Sequence, residues 1–297
     1  MEHRRVRRDL ALMSIFAVVG LTAAACAPTG AGGGPATHNF TFGATSVTVN
    51  SSNDKTCIIF CVGANDEPYV INIGFTVKIG QANSATDAVV VGDNQWSGVF
   101  DQGPGEGSSA SMTGGASGAV TFPNVPLLDV GDLLNTNNHL EIAGVWSWGM
   151  EADLLGVSGI AVTAGDAIKS VLNQTLAVGS LPSDPNAIVS SIIGVLGNNI
   201  FPLLGSGLAS ILPFVGDDAI GSRFYIGLGV TGSLQGIIDA AVGSVAFPSL
   251  AIPIISDPPD IDGGAIFSLG AKTFSNQVMT NGGVQGQHTY TYAMTQS

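Results

Sequence analysis

The residues best suited to chemistry in this chain are three crowded acids. Asp257, Asp260 and Asp262 fall within six residues, stiffened by Pro258 and Pro259 and followed by Gly263 and Gly264. Calcium takes about six to eight oxygens, supplied by short acidic loops of this kind. Asp257, Asp260 and Asp262 therefore form a candidate Ca2+ site, although the spacing is not that of an EF-hand and no Glu follows to close it. Asn65-Asp66-Glu67-Pro68 and Asp217-Asp218 make two further acidic corners, and loops at one end of a β-sandwich converge. The plain alternative is that all these acids are solvated turn formers.

Other chemistry is sparse. His38, His139 and His288 are the histidines beyond the leader, and none has a second His at ligand spacing. There is no G-x-S-x-G elbow, no phosphate-cradling glycine loop and no H-E-x-x-H pair. No catalytic residue can be named, and the chain reads as non-enzymatic. Trp96, Trp146 and Trp148 have the surfaces to stack sugars, but tryptophans in a chain with 7% aromatics more often build core.

The first thirty residues say where the chain goes. Arg4, Arg5, Arg7 and Arg8 precede an apolar run from Leu10 to Ala25, which ends in Ala23-Ala24-Ala25-Cys26. This is the layout of a secretory signal peptide, residues 1–25, with an uncleaved N-terminal anchor as the alternative. Arg7-Arg8-Asp9-Leu10 resembles a bacterial twin-arginine export motif. Ala-Ala-Ala-Cys26 resembles a lipobox, with Ala23 where Leu is usual. That resemblance implies lipidation of Cys26 and a partner in the cell envelope or membrane; otherwise Ala23-x-Ala25 is a plain cleavage site. Residues 26–37, rich in Gly, Ala, Pro and Thr, read as a flexible linker.

Charge and cysteine usage agree with export. The chain carries a formal −13, and residues 26–297 alone carry −15. Such an acidic chain lacks the basic stripe of a nucleic-acid binder and the polybasic patch that docks on anionic lipid. Cys57 and Cys61 remain after Cys26, and an oxidising compartment makes a disulfide the default. An extended segment would hold their Cα atoms about 13 Å apart, so the bond needs a turn through Ile58-Ile59-Phe60. Free thiols and a metal site are the alternatives.

The elements that must position these residues are mostly strands. Residues 38–42 and 45–49 alternate polar and apolar, and Tyr69–Ile79 is rich in β-branched and aromatic residues. Leu140–Met150 puts Trp146 and Trp148 on one sheet face; Asp87–Val91, Arg223–Val230 and the tail 287–295 complete the candidate strands. Gly103–Gly118 reads as a loop on composition. Between the strand-rich flanks, residues 163–178 carry Ile168, Val171, Leu172 and Leu176 at helical spacing, and Ser183-Asp184-Pro185 is a helix start. Residues 187–215 then run without a charge. They form either the second arm of a helical hairpin or a membrane-seeking segment, although Asn198, Asn199, Pro202 and Pro213 fit a lipid span poorly.

The pattern predicts a mainly β chain: an antiparallel β-sandwich over 38–155 and 221–297, with an α-helical hairpin inserted at 164–220. In style the mature part loosely resembles uncharacterised secreted actinobacterial proteins, a resemblance that implies no activity. The functional expectation is an exported, non-enzymatic cell-envelope structural or binding module with a protein or glycan ligand, stabilised by calcium at Asp257, Asp260 and Asp262. The alternative is a membrane-inserting or apolar-ligand-binding envelope protein that uses residues 187–215.

Overall fold

The computed structural model of the chain describes residues 34–52, 65–93, 103–151, 158–177, 187, 191, 218–242, 260–280 and 286–297. Cys26, Cys57, Cys61, Trp96 and Asp257 lie outside these residues, as does nearly all of 187–215.

The fold is mainly β, built from two sheets. The first has β1 (Thr37–Ser52) at its centre, paired on one side with β10 (Gly286–Gln296), which pairs in turn with β9 (Lys272–Thr280). On its other side β1 pairs with β5 (Val120–Pro126) along its first half and β4 (Ser109–Ser111) along its second. The second sheet runs β3 (Val89–Val91), β2 (Pro68–Lys78), β6 (Glu141–Glu151), β7 (Asp218–Leu228), β8 (Ile261–Ser268). Strands from both flanks of the chain share each sheet, so neither flank alone supplies a complete sandwich layer.

The two sheets differ in how much they bury. In β10 every second residue from Gly286 to Met294 is buried, and β1 buries Phe40, Phe42, Ala44, Val47 and Val49. One face of this sheet meets the core and the other meets water, which is why these strands alternate in sequence. All of β6 is buried, and so is β2 as far as Phe75, because the second sheet is covered on both faces. One face meets the first sheet. After a one-turn α1 (Val130–Leu133), two longer helices pack against the other: α2 (Ser158–Thr175), over β2 and β3, and α3 (Gly232–Val242), over β8.

Several elements depart from the sequence pattern. Residues 38–49 form one strand, with a bulge at Ala44/Ser46 where the alternation breaks. The Gly-rich stretch 103–118 contains β4 and a 3-10 turn at Gly114–Ser117, because β1 offers an edge for it to pair with. The sandwich is not wholly antiparallel: β8 runs parallel to β7, and the connection between them contains α3. Parallel neighbours need such a crossover, usually helical. Helix α2 is the first arm of the expected hairpin and begins at Ser158 instead of 164. It buries Ala161, Ala164, Ile168, Leu172 and Leu176. Trp146 and Trp148 are core, edge to face at 4.9 Å, with Trp146 stacked on Phe224 and donating to Ser222 Oγ. They are not a sugar platform.

Candidate functional site

At the end of the sandwich where β2 finishes and β6 begins, the two sheets part around a groove of about 390 Å³. One wall is β2 with the loop that follows it; the other is β5, an edge of the first sheet. The sheets can close the floor because position 74 has no side chain. A Cβ on Gly74 would run into the Val120 side chain of β5.

The β2 wall is held from several sides. Lys78 N–H donates to Ser84 Oγ, which donates back to Lys78 O. Thr76 N–H donates to Thr86 Oγ1, and Thr86 N–H to Thr76 O. Helix α2 then pins the loop from behind: Ala85 N–H donates to Asn173 Oδ1 and Gly80 N–H to Leu176 O. On the opposite wall Thr121 and Thr41 hydroxyls bond at 3.1 Å, and Asn124 N–H donates to Asn39 Oδ1. Asn124 sits in the left-handed region with φ 56°, where Asn is among the few side chains that are tolerated. Both walls are thus fixed by the fold before any ligand arrives, the condition for low-cost binding.

Charge in the groove is paired. Lys78 Nζ lies 4.0 Å from the buried carboxylate of Glu141, the first residue of β6. Burial pushes the Glu141 carboxyl above its ordinary range, and Lys78 and a hydrogen bond from Thr76 pull against that. Across the loop, Lys169 of α2 pairs with Asp87. Hydroxyls and amides of Thr76, Ser84, Thr86, Thr121, Gln81 and Asn124 make the rest of the polar lining, over an apolar base that includes Phe75 and Phe122.

The opposite end of the sandwich holds Asp66, Asp260 and Asp262, at the starts of β2 and β8. Asp66, just before β2, is buried and bonds His288 at the start of β10: His288 Nε2 donates to Asp66 Oδ2 at 2.7 Å. His288 Nδ1 stands 3.1 Å from the Tyr290 hydroxyl, and His288 itself is fully buried. Next along the interface, the Ser147 and Tyr292 hydroxyls bond at 2.8 Å between the sheets. Burial, first of all, drives the hydroxyls of Tyr225, Tyr290 and Tyr292 well above the ordinary tyrosine range, so they remain protonated. This end is a polar tie between layers.

Of the candidate calcium ligands, Asp260 and Asp262 are described, and both bond within the sandwich. Residues 261–264 are not a loop: they open β8, with Gly263 at φ 119° where the pairing with β7 slips by a residue. Asp262 Oδ2 accepts from Thr280 N–H, and Arg223 donates to the main-chain oxygens of Asp262 and Val278. Asp262 and Arg223 of the second sheet therefore occupy the outer edge of β9. Burial pushes the Asp262 carboxyl up to about 7, with nearby Asp260 adding to it and Thr280 and Arg223 opposing. Asp260 accepts from Ser222 N–H and Oγ through its main-chain oxygen. Among the described residues no three His, Cys, Asp or Glu side chains stand where they could hold a metal ion. His139 Nδ1 lies 3.1 Å from Ile79 O, beside the β2–β6 end.

No protein-family profile, curated protein or solved structure matches the chain. Sequence reasoning missed the groove because its walls come from segments far apart, 74–89, 120–124 and 141. Sequence reasoning also gives His288 no partner. The alternation of the tail did carry the needed signal, since it places His288 on the face of Tyr290 and Tyr292.

Proposed function

We propose that this chain is an exported cell-envelope module, tethered through Cys26, that binds a ligand in the groove between β2 and β5 without transforming it. The observation that carries this reading is the groove itself: a concave site with prefixed walls and a mixed polar and apolar lining. Its volume of about 390 Å³ falls within the range of small-molecule sites. Non-enzymatic binding fits the lining, which offers mainly hydroxyls, amides and paired charges. The leader and the Gly-rich linker support export and tethering.

A polar fragment library screened by protein-observed NMR tests the groove. Amide shifts should cluster at Thr76, Ser84, Thr86, Thr121 and Asn124, and Gln81→Trp, which fills the mouth, should suppress them. Shifts scattered over the surface and indifferent to Gln81→Trp would overturn the reading.

A further inference from the structure

We infer that the groove takes a neutral, hydroxyl-rich ligand, a saccharide, in preference to an anion or a peptide strand; this rests on the groove being the binding site proposed above. Charge argues first. Lys78 is held by Glu141 and Lys169 by Asp87, so neither lysine is left to hold a phosphate or carboxylate. An anion would also approach a mature chain carrying −15. A cationic ligand would have to displace a lysine from its carboxylate.

The edge chemistry argues next. β5 is an edge strand facing the groove, and an open edge would ordinarily invite an extended peptide to add as a new strand. Pro123 has no N–H to offer, and Asn124 in the left-handed region breaks the extended run. Strand addition is therefore blocked where the groove would need it. What remains is recognition by side chains. The Thr86 hydroxyl accepts from Thr76 N–H and keeps its own hydrogen for a ligand, and the amides of Gln81 and Asn124 present donor and acceptor at once. A row of such groups matches a row of ligand hydroxyls. The exposed Pro123 ring and the apolar base suit the C–H face of a sugar ring, whereas a purely apolar ligand would cover the amides of Gln81 and Asn124 without pairing them.

The test is a titration of the isotope-labelled exported chain, at millimolar ligand, with maltotriose, cellotriose and α-1,6-mannotriose. Glucose 6-phosphate and tri-alanine form the comparison arms. At least one trisaccharide should shift the amides of Thr76, Thr86, Thr121 and Asn124, more strongly than either comparison probe. Asn124→Gly keeps the left-handed backbone and removes the amide, and Thr86→Val keeps the shape and removes the hydroxyl. Each should weaken the saccharide about threefold to tenfold, the loss of a neutral hydrogen bond. Co-sedimentation with insoluble cellulose or cross-linked dextran separates a polymer ligand from a free oligosaccharide. If glucose 6-phosphate or tri-alanine shifts these amides and the sugars do not, the saccharide inference falls while the groove stands. If no trisaccharide shifts them, the inference falls, and the fragment screen alone decides the groove.

Discussion

Asp262→Asn removes a charge from a corner of the sandwich where burial opposes it, and the consequence for stability can be worked out. Asp262 sits at the start of β8, half-buried, with Oδ2 accepting from Thr280 N–H and its carboxyl pushed up to about 7. Against an ordinary aspartate value of 3.8, the folded chain holds this proton more tightly across roughly three pH units. Stability from this group is therefore greatest at or below about pH 4 and is lost as pH rises to about 7, with no further change above. At about 1.4 kcal/mol per unit the full effect is about 4 kcal/mol, an upper bound. Water reaches part of the side chain and screens it, which brings the expected size to about 2 kcal/mol. Asparagine keeps an oxygen for Thr280 N–H and does not titrate. The variant should match the wild type at about pH 4 and exceed it by about 2 kcal/mol at about pH 8, or about 4–8 °C in Tm. Unfolding of the exported chain, followed by tryptophan fluorescence in chelator, reads this directly, since Trp146 and Trp148 are both buried. Equal destabilisation by Asp262→Asn at both pH values would refute the reasoning. It would mean that Thr280 and Arg223 need a charged carboxylate at every pH.

Two other outcomes follow from the same packing and two from the cysteine positions in the sequence. Asp66→Asn weakens the buried bond to His288, and His288→Ala leaves Asp66 buried without its partner; urea unfolding should show a loss of about 3–5 kcal/mol for the latter. Tyr292→Phe and Ser147→Ala each strand a buried hydroxyl, at about 1–3 kcal/mol, and a double-mutant cycle should show the double variant costing less than the two losses added. At the N-terminus, Cys26→Ser should move the mature protein from the detergent phase to the aqueous phase, and mass spectrometry of the unreduced protein should find Cys57 and Cys61 joined.

How much was legible depended on whether a segment carried its own pattern. β1 and β10 alternate because one face is wet, and β2 and β6 are β-branched or aromatic runs because both faces are dry. These strands stood out in the sequence. β4 and β8 did not, since Ser109–Ser111 has no apolar rhythm and Gly263-Gly264 reads as turn; a neighbouring strand supplies the pairing that makes them strands. β9 buries only Met279 fully, so its sequence gives almost no alternation to read. Helix α3, Gly232–Val242, carries two glycines in eleven residues, which hid it among turns. The spacing of Asp260 and Asp262 is visible in the sequence, while the pairing of Ile261–Ser268 with β7 is not. The groove is a product of topology: Gly74, Thr121 and Glu141 meet only after both sheets have formed.

The most direct test of the binding-module reading is a crystal structure of the exported chain soaked with the tightest fragment or trisaccharide from the titrations. Density between the β2 loop and β5, within hydrogen-bond distance of Thr86 and Asn124, and walls unmoved from the free protein are the predicted result. A ligand seated at the His288 end, or a groove closed by movement of β5 onto β2, would contradict it.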